Sequence, residues 1–258
     1  MLAFIIPIKS KTISSDWTNF LRLLNLCLNS VCNQSNTNFK VYIACHEIPE
    51  TKFKDHPKVE FLQVDFLPPI LEHKPSDRWL KEADKGKKLK VAAKYAEKSG
   101  ASYIMTVDAD DCISSKICEF VHQNIHNSIP GWFMQKGYLY PEGKKYAYLN
   151  LRNFNAVCGT CVIIRPDLIN LMYRENNWFN HEITNLKDDM SLLPFPFPGT
   201  LYSMLNGSNM VLDNDELKKR TMFKVTKAVY FKTLLRRIKK YRIIPLIFLK
   251  KEFGITKI

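Results

Sequence analysis

The sequence predicts a doubly wound α/β domain, and three observations carry that prediction. Short apolar, β-rich stretches alternate with helical patterns over residues 1–110. The first stretch, residues 2–8, is apolar without interruption, which is typical of a strand buried on both faces of a parallel sheet. The chain has 258 residues, of which 46% are hydrophobic and 24% are charged, so it can bury a core of this kind.

The predicted elements of this first half follow one another as strand, helix and strand. Between Phe20 and Val31 apolar residues recur at helical spacing, and Asp16 can cap that helix. A second helix at residues 83–98 has leucine and alanine at helical spacing and ends at Gly100. Three further strands are indicated by their β-branched and apolar residues, at 41–44, 59–64 and 103–107.

The pattern changes after residue 130. Residues 131–140 and 145–149 predict a β-hairpin, and residues 156–165 predict another strand. A short helix is predicted at residues 181–193. Residues 194–199 have proline at every second position, which excludes a helix and predicts an extended loop.

The positive charge of the chain is concentrated near its C-terminal end. Residues 217–258 contain 14 of the 38 Lys and Arg residues but a single acidic residue, Glu252, so they carry the whole net charge of +13. The remaining chain is neutral overall, which excludes a protein that binds polyanions over its entire folded surface. We therefore divide the chain into a globular domain at residues 1–215 and a basic amphipathic tail at residues 216–258.

Cysteine usage and hydropathy predict a cytoplasmic protein. The seven cysteines are an odd number scattered through apolar segments, which is typical of reduced, buried thiols. Cys158 and Cys161 form a single CxxC motif, which is either a pair of ordinary strand thiols or a redox or metal site. No apolar run approaches the roughly 20 residues of a membrane span, and residues 2–8 lack the basic region of a signal peptide.

Three carboxylates follow the fourth predicted strand directly. Asp108, Asp110 and Asp111 lie at its carboxyl end, where parallel sheets bind their ligands. Such neighbours repel one another unless a cation lies among them, and oxygen ligands favour Mg²⁺ or Mn²⁺ bridging to phosphate. The alternative is that Asp111 caps a helix predicted at residues 114–127.

Several motifs carry a resemblance to a known family. The N-terminal Phe4-Ile5-Ile6-Pro7, Lys85-Gly86-Lys87 before a helix, and the strand that ends in Asp108-Ala109-Asp110-Asp111 resemble the nucleotide-binding half of the family-2 glycosyltransferases, which have the GT-A fold. Asp188-Asp189-Met190-Ser191-Leu192 is similar to the acidic pair on their acceptor side. The resemblance implies transfer of a sugar from a nucleotide diphosphate to an acceptor hydroxyl, with inversion and with Mn²⁺ or Mg²⁺.

The resemblance also assigns roles to residues. Asp110 would be the principal metal ligand, Asp108 would contact the ribose or the metal, and Asp189 would be the general base. Asp188 is the rival base, and the plain alternative for both is a solvated helix face. Trp132 is the candidate for stacking on the acceptor sugar. The residues assigned to the nucleotide sugar are Pro7, Glu47, Lys87 and Asp108.

One departure concerns the nucleobase. The family usually has an acidic pair after the second strand, whereas this chain has Cys45-His46-Glu47 there. Glu47 could take the same role, and His46 could stack on the base, donate a hydrogen bond, or serve as a structural residue.

Two other function classes stay open. A haloacid dehalogenase-type phosphatase also uses a strand followed by DxD, with the first Asp as nucleophile, although its motif normally lies near the N-terminus. A non-enzymatic adaptor for membranes or nucleic acid would depend on the tail alone and would leave the acidic segment unexplained.

The tail itself predicts a membrane contact. Aromatic and apolar residues from 217 to 241 recur at spacings compatible with one helix face, and Lys and Arg occupy the rest. Such a helix can lie on an anionic membrane, pack on the domain, or bind a partner or RNA. We expect an enzyme of cell-surface polysaccharide or glycolipid synthesis, with a glycan or lipid-linked acceptor, at the cytoplasmic face of the membrane; nucleic acid is not an expected partner.

Overall fold

The computed structural model describes residues 1–72, 74–126, 128–207 and 241–255. These residues form a seven-stranded sheet, a five-stranded sheet and three α-helices, besides short 3₁₀ turns. The strands of the larger sheet are β1 (Leu2–Pro7), β2 (Phe39–Cys45), β3 (Val59–Gln63), β4 (Tyr103–Thr106), β6 (Gly131–Phe133), β9 (Val162–Ile164) and β10 (Leu193–Pro194). Those of the smaller sheet are β5 (Cys112–Ile113), β7 (Gly137–Pro141), β8 (Tyr146–Asn150), β11 (Thr200–Met204) and β12 (Tyr241–Pro245). The helices are α1 (Trp17–Cys32), α2 (Asp77–Lys98) and α3 (Ile117–Gln123).

The order of strands in the larger sheet confirms the predicted α/β class. It runs β10-β6-β9-β4-β1-β2-β3, and β1 to β4 are mutually parallel. The chain moves from β1 outward to β3 and then returns to the other side of β1 as β4, so the topological switch point lies between β1 and β4. β9 is antiparallel to both of its neighbours, so the sheet is mixed. The carboxyl ends of β1 and β4 therefore border the expected ligand crevice.

The core of the larger sheet forms for the reasons that the sequence indicates. All residues of β1 except Pro7 are buried, as expected for a central parallel strand. The apolar face of α1, which includes Phe20, Leu24 and Leu28, packs into the same core. The Asp16 carboxylate accepts a hydrogen bond from Asn19 N at 2.8 Å, which confirms the predicted cap.

The second helix is longer than predicted. α2 begins at Asp77, six residues before the predicted start. The Asp77 carboxylate accepts hydrogen bonds from the backbone N atoms of Glu72 and Lys74. The motif Lys85-Gly86-Lys87 consequently lies in the middle of α2 and not at its N-terminus. The placement of this motif before a helix, on which the family resemblance partly depends, is therefore wrong.

Three predictions for the second half need correction. Residues 131–140 form two strands in different sheets, β6 and β7, and only β7 pairs with β8 as a hairpin. The helix predicted at residues 114–127 is the shorter α3, and its N-cap residue is Lys116 and not Asp111. Residues 181–193 are not helical, because Asp188 and Asp189 both have φ of 57° and form a tight turn.

The end of the predicted tail belongs to the folded body. β12 pairs antiparallel with β8, with Tyr241 opposite Asn150 and Pro245 opposite Tyr146. The boundary placed at residue 216 is therefore wrong for residues 241–255, whereas the amphipathic helix predicted from residue 217 lies, up to residue 240, outside the described residues. A second hydrophobic cluster joins this segment to the smaller sheet: Cys112, Tyr140, Ala147, Leu201, Leu246, Leu249, Phe253 and Ile255. Within the described ranges, no helix has the length and apolar character needed to cross a bilayer.

Candidate functional site

The acidic segment lies at the carboxyl end of β4, beside the switch point. Val107 N continues the pairing with β1 by donating to Ile5 O at 3.0 Å, and the chain then leaves the sheet. Asp111 N donates to Asp108 O at 3.1 Å, which closes a turn. The Asp108 backbone N donates to Thr160 Oγ1 at 2.8 Å, so the start of the segment is anchored to the loop before β9.

Asp111 is a buried structural residue. Its Oδ2 accepts hydrogen bonds from Thr160 Oγ1 at 2.5 Å and from Cys158 Sγ at 3.2 Å, and its Oδ1 accepts one from Ser203 N at 3.2 Å. Burial raises the pKa of Asp111 well above its ordinary value, and the charge of Asp110 adds to the effect. Asp111 therefore anchors the segment in the fold, whereas Asp108 and Asp110 are partly exposed.

Asp108 forms an ion pair with Lys85 of α2. The Lys85 Nζ lies 2.5 Å from Asp108 Oδ1, and both side chains are partly exposed. Burial alone would lower the pKa of Lys85, but the nearby Asp108 carboxylate outweighs it and raises that pKa above its ordinary value. The positive charge of Lys85 is thus held directly beside the acidic segment.

Asp110 is oriented by Asn206. The amide Nδ2 of Asn206 donates to Asp110 Oδ2 at 3.0 Å and to Ser203 O at 3.2 Å, and Asn206 is itself buried. Burial raises the pKa of Asp110, and the charge of Asp108 raises it further. Asn206 was not recognised from the sequence, because no motif distinguishes an asparagine that follows a strand by two residues.

The CxxC motif packs against the acidic segment. A Cβ atom on Gly159 would lie 2.6 Å from Asp108 Oδ2 and 3.0 Å from Lys85 Nζ, so any larger residue here would require the side chains of this ion pair to shift. Both thiols of the motif are buried and unoxidised, and burial raises their pKa values well above the ordinary value. The structure therefore favours ordinary buried thiols over a redox centre, but both lie in the loop before β9 and not in the strand that was predicted for them.

The loops after β1 and β2 are tied together by Glu47. Its carboxylate accepts hydrogen bonds from Ser10 Oγ, at 3.0 Å to each oxygen, and from Lys11 N. Pro7 lies at the end of β1, opposite Ala44 of β2, at the same edge of the sheet. Both residues predicted to contact the nucleotide sugar from these strands thus lie on the carboxyl edge.

His46 belongs to a buried polar network beneath these loops. Its Nε2 lies 2.9 Å from Asp84 Oδ1, and Asp84 Oδ2 lies 2.7 Å from Lys88 Nζ. The same ammonium donates to Ile8 O at 2.7 Å, just after β1. The His46 ring also packs edge-on against Phe66 at 5.4 Å, so its position is fixed from two sides.

Two predicted contacts are corrected by their surroundings. Lys87 is exposed, and its Nζ lies over the Phe66 ring, 5.4 Å from the centroid, so Lys85 and not Lys87 reaches the acidic segment. Trp132 is only 3% exposed and packs against Tyr103 and Phe120, with ring centroids at 4.9 and 5.7 Å. Trp132 is a core residue of β6, and the prediction that it stacks on the acceptor sugar is wrong.

Asp188 and Asp189 lie at the exposed tip of their turn. Leu186 N donates to Met190 O at 2.8 Å and Met190 N donates to Lys187 O at 3.2 Å, which closes a two-residue loop around the pair. Among the described residues, no hydrogen bond or ion pair joins either carboxylate to the acidic segment. Their catalytic role stays a prediction.

His181 lies near the site but belongs to no motif that is recognisable in the sequence. Its Nδ1 lies 2.7 Å from Asn155 O, a geometry in which the ring N–H donates to the carbonyl. Burial lowers the pKa of His181, and the charge of Lys85 lowers it further, against the opposing charges of Asp108 and Glu182. His181 therefore lies within electrostatic reach of the Lys85–Asp108 pair, and the exposed Glu182 is its neighbour in sequence.

Comparisons with known proteins return structural likenesses at low identity. No family model matches the chain, and no curated protein sequence matches it. The crystal structure of S. aureus TarS is 14% identical over 78% of this chain and 36% of that chain, with a TM-score of 0.47. Residues 1–349 of TarS in complex with UDP-GlcNAc give 14% identity and a TM-score of 0.46 over 84% of this chain and 63% of that chain. A 4-diphosphocytidyl-2C-methyl-D-erythritol synthase gives 12% identity and a TM-score of 0.39 over 85% of this chain and 98% of that chain.

This chain thus spans about a third of the full TarS chain and less than two thirds of its N-terminal portion. Likenesses at these TM-scores carry no functional argument. The functional conclusion rests instead on the residues of the site.

Proposed function

We propose that this protein is a glycosyltransferase that moves a sugar from a nucleotide diphosphate to an acceptor hydroxyl with inversion. The observation that carries the proposal is the position of two partly exposed carboxylates, Asp108 and Asp110, beside the switch point of the larger sheet, where Asp108 is ion-paired with Lys85. A carboxylate pair and a fixed lysine suit a leaving group that develops negative charge on phosphate oxygens.

The donor set at this edge fits a divalent cation. Asp108 and Asp110 are hard oxygen ligands on a partly exposed turn, and burial beside a second carboxylate disfavours the charged form of Asp110 unless a cation compensates it. Among the described residues, no group of three or more His, Cys, Asp and Glu side chains forms a metal site on its own. Asp110, with Asp108, would hold Mn²⁺ or Mg²⁺, which supplies neutralisation of the diphosphate.

The surrounding residues would position these groups. Asn206 orients the Asp110 carboxylate, Thr160 fixes the backbone of Asp108, and Lys85 adds positive charge at the leaving group. Pro7 and Glu47 would border the nucleoside from the ends of β1 and β2.

The general base is proposed as Asp189, with two alternatives. Asp188 is its neighbour in the turn, and Glu182 is favoured by its electrostatic reach to His181 beside the acidic segment. Loss of turnover without loss of donor affinity in one of Asp189→Ala, Asp188→Ala and Glu182→Ala would identify the base, at a cost of about 10²–10⁴-fold in rate.

Calorimetry with nucleoside diphosphates tests the proposal directly. UDP, GDP, CDP and ADP would be titrated into the protein with and without Mn²⁺, followed by the sugar nucleotide of the base that binds. We expect metal-dependent binding by the wild type and loss of the metal response and of sugar transfer in Asp110→Asn. The matched control is Asp55→Asn, an exposed carboxylate in the turn before β3, which should behave as wild type.

Two outcomes would overturn the assignment. Sugar transfer by Asp110→Asn at the wild-type rate with the same metal response would place the site elsewhere. Release of inorganic phosphate from phosphorylated substrates, without nucleotide-sugar binding, would instead identify a phosphatase with Asp108 as nucleophile.

A further inference from the structure

An apolar surface lies at the edge of the smaller sheet, far along the chain from the acidic segment. Ile243 of β12 is 67% exposed, and Ile247 and Phe248 in the following turn are 67% and 73% exposed. Three large apolar side chains within six residues form an unusual cluster on a protein surface. We propose that this surface, Ile243, Ile247 and Phe248, docks on an anionic lipid bilayer.

The exposed side chains are held in place by buried neighbours. Leu246, Leu249 and Phe253 alternate with them and are buried in the second hydrophobic cluster. The turn is also fixed by a hydrogen bond from Leu246 N to Lys145 O at 2.9 Å. The apolar residues are therefore presented outward by a packed scaffold, which lowers the conformational entropy that binding would cost.

The charge around this surface selects the partner. Lys144 and Lys145 in the adjoining β7–β8 turn and Lys251 are exposed, so positive charge borders the apolar residues. The single acidic residue of 217–258 is Glu252, and its carboxylate is turned toward the folded domain. Its Oε1 accepts a hydrogen bond from Ser114 Oγ at 2.6 Å, and its Oε2 lies 3.8 Å from Lys116 Nζ. Apolar side chains bordered by lysine are complementary to an anionic interface, where the rings and alkyl groups insert and the ammonium groups meet headgroups.

The same charge disfavours a second copy of this chain as the occupant. If two copies paired through the exposed edge of β12, the basic residues 217–258 of one copy would meet those of the other. Like charges at an interface oppose association. Anionic lipid has no such conflict. The inference does not depend on sugar transfer, since it uses no residue of the acidic segment.

Vesicle co-sedimentation of the full chain tests the inference. Vesicles of phosphatidylglycerol and phosphatidylcholine would be compared with pure phosphatidylcholine at low and at high salt. We expect binding to the anionic vesicles that weakens with salt, and a loss of about tenfold in partitioning for the double variant Ile247→Ser with Phe248→Ser. The matched control is Leu67→Ser with Ile70→Ser, which removes equally apolar side chains, 88% and 85% exposed, from the loop after β3.

Each other outcome decides against the inference. Equal binding by the wild type, the double variant and the control would assign lipid binding to other residues, such as the basic segment before β12. Equal binding to neutral and anionic vesicles would remove the role of charge. Self-association that the double variant abolishes, with no vesicle binding, would identify a protein interface. Circular dichroism melting of all forms verifies that they are folded.

Discussion

The Nζ atom of Lys85 lies 2.5 Å from Oδ1 of Asp108, which joins the middle of α2 to the carboxyl end of β4. Gly159 lies against this pair, and the next residue, Thr160, accepts a hydrogen bond from the Asp108 backbone N. The ion pair thus connects three separate stretches of chain. Its loss should affect both the stability of the fold and the binding of a phosphate ligand.

Lys85→Met should lower the free energy of unfolding by about 1–3 kcal/mol, because a partly buried carboxylate loses its charged partner. Nucleoside diphosphate affinity should fall with it. Urea unfolding and calorimetry measure the two effects. Lys87→Met is the matched control, since Lys87 is two residues along the same helix, exposed and without contact to Asp108. Equal effects of both variants would contradict a specific role for Lys85.

Asp111→Ala should be more destabilising than any change at Asp110. It removes the acceptor of the Thr160 hydroxyl and of Ser203 N in a fully buried setting, so the free energy of unfolding should fall by on the order of 3 kcal/mol. Denaturant unfolding measures this change. Asp167→Ala, which breaks only the surface pair with Arg165, should cost less than about 1 kcal/mol. A mild effect at Asp111 would show that the carboxylate does not hold the segment.

Gly159→Ala should reduce nucleoside diphosphate affinity by displacing the Lys85–Asp108 pair, because the added methyl group would lie 2.6 Å from Asp108 Oδ2. Gly100→Ala supplies the contrast. Its φ is +78° with open space around the Cβ position, so alanine there should cost about 1 kcal/mol of stability and leave affinity unchanged. Calorimetry and thermal melting of both variants distinguish an effect on the site from an effect on the fold.

His181 should make stability depend on pH. Its pKa is lowered from 6.5 by burial and by the charge of Lys85, against Asp108 and Glu182, so the unfolded chain takes up the proton first on acidification. The stability is therefore complete above pH 6.5 and is lost as the pH falls below it toward the lower pKa of the folded state. Urea unfolding at pH 7 and pH 5 should show a smaller difference in His181→Gln than in the wild type. An unchanged difference would mean that other groups cause the dependence.

The first half of the fold could be predicted because its signals are local. An uninterrupted apolar run defined β1, helical spacing with an aspartate cap defined α1, and an apolar run ending in carboxylates defined β4 and the edge where the acidic segment lies. These patterns depend on the residues themselves and on their immediate neighbours. Topology rules then place the carboxyl ends of β1 and β4 side by side.

The residues that complete the site could not be predicted, because they come from distant parts of the chain. Asn206 reaches Asp110 across a sequence separation of 96 residues, and Thr160 reaches Asp111 across 49. Trp132 has the side chain of a sugar-stacking residue, but its burial depends on Tyr103 and Phe120 of other elements. The turn at Asp188 and Asp189 overrode a helical pattern because neighbouring aspartates tolerate left-handed backbone angles.

The antiparallel pairing of β8 with β12 has a consequence for the order of folding. β8 ends at Asn150 and β12 begins at Tyr241, so this pair can form only after residues 151–240 have been synthesised. Pairing across such a separation is slow, since loop closure must precede the gain from contacts. During synthesis, the larger sheet can assemble as soon as residue 194 has left the ribosome. The apolar side chains of Tyr140, Ala147 and Leu201 in the smaller sheet stay uncovered until later residues pack on them. Those later residues are Leu246, Leu249 and Phe253. Of the two sheets in the described ranges, the smaller one is therefore completed last, and until then its apolar face is open to proteases and chaperones in a nascent chain.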